Sequence, residues 1–157
     1  MNIKNNTENK NEKKEDDDND SYGLAFDNIV SALGKIINYQ PNSQIVQAGL
    51  NELITKWISN LPIKYDEVEQ EQQHEWLVDI FISKRELIPE NCYPHYFSSL
   101  AKIYNTKASN EQINKKIYNI FNEYVKKEDK LRQIIDSIYN DPNTDEVIKN
   151  KLKKLIM

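Results

Sequence analysis

From Ser21 onward, apolar side chains recur three and four positions apart and are punctuated by Pro, Asn, Asp and Ser. That spacing predicts successive amphipathic helices rather than strands. The first stripe, Phe26, Ile29, Val30, Leu33, Ile36 and Ile37, runs into Gln40-Pro41. Because proline disfavours a helical residue ahead of it, this helix is expected to stop near Tyr39. A second helix is expected from Asn42 as N-cap, with Val46, Leu50, Leu53, Ile54, Trp57 and Ile58 inward, and to end before Leu61-Pro62. The short turn between the two makes them an antiparallel hairpin.

A third helix, over 65–84, is polar in its first half and apolar in its second through Trp76, Leu77, Ile80 and Phe81, so only its later turns are expected to be well buried. A fourth carries Tyr93, Tyr96, Phe97, Leu100 and Tyr104, with Pro94 in its first turn. The fifth opens on Ser109 with Gln112 three residues later, a capping box, and aligns Ile113, Ile117, Ile120, Phe121 and Tyr124. A sixth covers 128–140, and a seventh starts at Asn143 or Thr144. The first, third and fifth helices are centred near residues 33, 75 and 117. That spacing of about 42 is the period of two-helix solenoid repeats such as HEAT and armadillo. The expected fold is all-α, an α-α superhelix of about seven helices over residues 21–157.

Composition changes the picture at the N-terminus. Residues 1–20 hold 7 acids, 4 lysines and 6 Asn with almost no apolar side chains, and are expected to form a disordered acidic leader. Formal net charge is −4, which repels polyphosphate, so direct nucleic-acid binding is not expected. The longest apolar runs, about four residues, fall far short of the roughly 20 that span a bilayer, so no membrane insertion is expected. Residues 61–90 are acidic, with 8 acids against 3 basic residues; residues 107–157 are mildly basic, with 11 basic residues against 8 acids.

Chemistry-bearing constellations are thin. His74 and His95 fall on different helices with no cysteine pair or H-E-x-x-H beside them, so no metal site is expected, and both are read as surface or hairpin-junction side chains. Cys92 is the single cysteine; next to His95 it could be pictured as a nucleophile, but a small packed hydrophobe is the simpler reading. With no Gly-rich phosphate loop either, neither catalysis nor a cofactor is expected.

Two segments carry a resemblance. DNIVSALGKIINYQP, followed by KWISNLPIKYDEVEQE, resembles the C-terminal HEAT repeats of the importin-β (karyopherin-β) family, in particular the branch that imports ribosomal proteins and histones. The matching residues are Asn28, Ala32, Leu33, Gly34, Lys35 and Ile36 in the first helix, then Trp57, Ile58, Leu61, Pro62, Ile63, Asp66 and Glu67. Ala32 and Gly34 are expected to let a neighbouring helix approach closely, and Trp57, Leu61 and Pro62 to plug the corner between repeats. The likeness covers about residues 26–140 and implies the C-terminal piece of a longer solenoid.

What the resemblance implies is a nuclear transport receptor that works by binding, in the cytoplasm, the nucleus and the nuclear pore. Its partners are basic cargo (ribosomal proteins, histones), Phe-Gly nucleoporins, and Ran-GTP through repeats this chain does not contain. Asp66, Glu67, Glu69 and Glu71 are then candidate contacts for basic cargo, although the helix dipole fully accounts for the first few acids of a helix and is the simpler reading. Trp76, Phe81, Ile117 and Phe121 are candidates for an outer groove accepting Phe-Gly repeats. A free-standing helical scaffold or adaptor with no part in transport is the alternative.

Overall fold

A computed structural model describes residues 9–157, with side chains from Asp20 onward. Among the described residues there are seven α-helices and no strands: α1 (Asn9–Tyr39), α2 (Gln44–Ser59), α3 (Glu67–Ser83), α4 (Tyr93–Ile103), α5 (Glu111–Ile120), α6 (Asp129–Asn140) and α7 (Glu146–Ile156). The first eight residues of the expected leader lie outside this description. Residues 9–20 are the opening turns of α1, where Glu and Lys have the propensity to carry a helix onward.

Consecutive helices pair into hairpins that stack in two layers. The odd-numbered layer is built by α1 on α3 and α3 on α5, the even-numbered layer by α2 on α4 and α4 on α6. The repeat is written into the polar contacts between hairpins: Lys35–Glu69, His74–Ala108, Ser99–Leu61, Lys116–Glu75 and Arg85–Glu128 join residues 34 to 43 positions apart. Between the layers lies one continuous core, in which Ile54, Trp57, Leu77, Phe81, Tyr96, Phe97, Ile117, Phe121 and Leu152 are all buried. Aromatic packing ties its centre: Phe81 meets Tyr96, Phe97 and Tyr124 at 5.4–5.9 Å between ring centres, and Phe97 meets Phe121 at 5.6 Å.

The two ends of the stack differ. At the C-terminal end α7 folds back on α4 and α6, and Lys151 donates to the carbonyls of Lys102, in the last turn of α4, and Tyr104, its C-cap. Burial, then the neighbouring Lys154, pushes the Lys151 pKa down. At the N-terminal end the apolar stripe of α1 is wider than its partners. Val30 and Ile37 are buried, whereas Phe26, Ile29 and Ile36 are exposed, as is Ile45 on α2. Periodicity marks which arc of a helix is apolar, not how much of that arc finds a neighbour.

Helix starts shift by a residue or two from the sequence reading. Ser43, not Asn42, precedes α2. Asn110 rather than Ser109 caps α5, its side chain accepting from the Ile113 N–H at 2.8 Å, while the Ser109 hydroxyl is occupied by the Thr106 carbonyl and Asn114. Asp145, not Asn143 or Thr144, caps α7. Pro94 lies in the first turn of α4 as expected, and α5 continues into a π-helical turn, Phe121–Val125.

The corner residues sort by exposure. Trp57 and Leu61 are buried and Pro62 half-buried at the handover from α2 to α3. Gly34 is the point of close approach, because a Cβ there would overlap the Gln73 side-chain oxygen and lie 2.8 Å from Trp57 Nε1. Ala32, expected beside it, is exposed: two residues along a helix is about 200° of rotation, which turns it away from α3.

Candidate functional site

Gln40-Pro41 stops α1 and reverses the chain, and the Gln47 side chain donates back to the Pro41 carbonyl, fixing the start of α2 against the turn. Asn38 donates to the Gly34 carbonyl at 2.9 Å, which ties down the last turn of α1. Across from this corner lies the second half of α3, where Trp76 meets the Tyr39 ring edge-on at 5.4 Å. Between them opens a cavity of about 310 Å³, with Ile37, Leu50, Trp76, Ile80 and Leu87 as apolar lining and Asn38, Asp79 and Lys84 among its polar groups. An apolar concavity of that size with a few polar groups matches one large side chain of a peptide and the backbone on either side of it.

Of the four residues expected in an outer groove, only Trp76 lines this cavity. Phe81, Ile117 and Phe121 are fully buried. Phe81 sits five residues after Trp76, about 140° further round α3, and so points into the aromatic core; Ile117 and Phe121 belong to the inward stripe of α5. They are structural side chains, not groove residues. Sequence reading missed Ile37 and Leu50 as lining. Both read as members of core stripes, and the usable signal is their position on either side of the Pro41 turn.

The acidic candidates are engaged inside the chain. Asp66 caps α3, accepting from the Val68 and Glu69 N–H groups. Glu69 pairs with Lys35 of α1 at 2.6 Å, and Glu67 with Lys107 at 3.3 Å. Glu71 accepts from Asn110, and Lys116 of α5 bridges Glu75 and Asp79. Burial opposes the charged Lys116 ammonium, but its bonds to Asp79 and Glu75 outweigh that and hold its pKa above the usual lysine value. α3 is thus stitched to α1 on one flank and to α5 on the other. A basic cargo would have to compete with these internal partners.

The two histidines occupy equivalent joints. His95 Nε2 bonds the Leu61 carbonyl at 2.9 Å, and His74 Nδ1 bonds the Ala108 carbonyl at 2.8 Å. Cys92 is buried at the start of α4. Among the described residues, no group of three or more His, Cys, Asp or Glu side chains is placed to hold a metal ion. No described helix is long and apolar enough to cross a membrane.

Compared with known proteins, the chain matches no family model, and no solved structure matches it at a significant level.

Proposed function

We propose that this chain is a C-terminal HEAT-repeat segment of an importin-β type nuclear transport receptor, acting by binding and flexing in protein import through the nuclear pore. The observation that carries the reading is the apolar cavity beside Trp76, open between the α1–α2 corner and the second half of α3 in a stack that repeats about every 40 residues. Such a cavity suits the phenylalanine of a Phe-Gly repeat. The flanking glycine imposes no steric demand, and shallow single-residue pockets give the weak, fast-exchanging contacts that passage through a pore requires. Support from motif comes from Gly34 and Trp57, which meet Gln73 where α1 approaches α3, and from Leu61, whose carbonyl is bonded by His95 and Ser99 of α4.

In this reading basic cargo such as ribosomal proteins or histones, and Ran-GTP, engage mainly through repeats outside this segment. The pairing of Glu67, Glu69 and Glu71 with partners from neighbouring hairpins, on the surface of the stack, fits a bracing role better than a cargo-gripping one. The chain is expected to be captured by immobilised Phe-Gly repeats. Trp76→Ala should weaken that capture about tenfold or more while leaving the helical circular dichroism spectrum unchanged, because Trp76 is only partly buried. No capture of the folded wild-type chain, or equal capture of the variant, would favour a helical scaffold unconnected with transport.

A further inference from the structure

The buried polar side chains of this protein are concentrated at one seam. Asp27 and Ser31 of α1 face Gln70, Gln73 and His74 of α3, and all five are nearly or completely inaccessible. The next seam in the same layer, α3 to α5, has an apolar interior that includes Leu77, Ile113, Ile117 and Ile120, and its polar bonds, His74 to the Ala108 carbonyl, Asn110 to Glu71 and Lys116 to Glu75 and Asp79, are all satisfied.

Most of the polar seam is satisfied. Asp27 accepts three backbone N–H bonds, Gln73 accepts from the Trp57 indole at 2.9 Å, and Gln70 donates to the carbonyls of Ile63 and Lys64. Two atoms are not: Ser31 Oγ and His74 Nε2 are buried with no hydrogen-bond partner. His74 is fully buried, and burial, the larger effect, pushes its pKa down, only partly offset by the Ala108 carbonyl and the Asp27 charge.

The charges around the imidazole are accounted for. From α1 it meets Asp27, already committed to the backbone of residues 64–66. In the turn before α5, Lys107 pairs with Glu67 and Asn110 with Glu71; on α5, Lys116 takes Glu75 and Asp79. Nδ1–H donates to Ala108 in either protonation state, so a second proton has to be accommodated at Nε2, where no acceptor stands.

We propose that the α1–α3 seam is an acid-sensitive joint. Proton uptake by His74 loosens α1 and the α2–α3 turn from α3, while the apolar α3–α5 seam and the cap made by α7 stay closed. The sign follows from linkage. A histidine whose folded pKa lies below its unfolded value of 6.5 contributes stability that is complete above pH 6.5 and is lost as the pH falls below it.

Hydrogen exchange of the full chain, corrected for intrinsic rates, tests the joint between about pH 7.5 and about pH 5.5. Protection over residues 21–39 and 64–70 is expected to drop severalfold, up to the limit of about tenfold that one proton taken up below pH 6.5 can produce by pH 5.5, with residues 111–156 unchanged, and the drop should vanish in His74→Gln. Equal loss in every helix, no loss at all, or the same loss in His74→Gln would overturn the proposal. Should His74→Gln fail to fold at pH 7.5, the regional contrast within the wild-type chain decides the matter alone.

Discussion

Replacing Gly34 by leucine is expected to destabilise the protein by about 3 kcal/mol or more, read as a lower urea midpoint at unchanged slope. Gly34 lies within α1, and among the described glycines none has a positive φ, so backbone freedom is not why glycine stands there. Space is the reason. A side chain at 34 must displace the Gln73 amide, which accepts the Trp57 indole N–H and donates to the Ser31 carbonyl. Each buried group left unpaired costs about 1–3 kcal/mol, and the displaced amide also has to repack. Gly49, on α2, is the internal control: a Cβ there meets nothing within 4 Å. Gly49→Ala should therefore stabilise the protein by up to about 1 kcal/mol through helix propensity alone. Opposite signs at two helical glycines separate a packing cause from a propensity cause.

The second large effect is expected at Asp27. One oxygen of this buried carboxylate accepts from the N–H groups of Lys64 and Asp66 at 2.9 Å each, and from that of Tyr65 at 2.5 Å. These N–H groups lie at the entrance to α3, where a negative charge is also favoured by the helix dipole. Asp27→Ala strands three donors beside a buried seam. The expected loss is about 3–4 kcal/mol, a fall in melting temperature of roughly 10 °C for a domain of this size. Asp27→Asn retains an acceptor of the same shape but loses the charge, and should recover about half of that loss. Calorimetry of the three proteins checks the order; an alanine variant as stable as the wild type would show that the α2–α3 turn is held by something else.

Much of the architecture was legible in the pattern of apolar positions. Seven stripes became seven helices, and their spacing anticipated hairpins stacked in register, because burial of a stripe at helical period is what each hairpin needs from the next. The polar seam was not legible. Gln70, Gln73 and His74 stand in the half of α3 that reads as solvent-facing, since polarity alone does not distinguish an exposed amide from a buried one bonded to Trp57 or Ile63. The candidate groove was half legible. Trp76 and Phe81 look alike as apolar positions on one helix, and only the rotation between them, set against which neighbours α3 has, sends one to a cavity and the other to the core. The acids illustrate a third limit: a run of carboxylates suggests an attractive field, but here sequence-distant lysines, Lys35, Lys107 and Lys116, pair with Glu69, Glu67 and Glu75.

The transport reading is tested most directly by nuclear magnetic resonance titration of the isotope-labelled chain with a short Phe-Gly repeat peptide. The account predicts saturable shifts confined to the Trp76 indole and to the methyl groups of Ile37, Leu50 and Ile80 around the cavity, with the buried Trp57 indole unmoved. A Trp76 indole signal that stays in place at millimolar peptide, or shifts scattered over the surface without saturation, would contradict it.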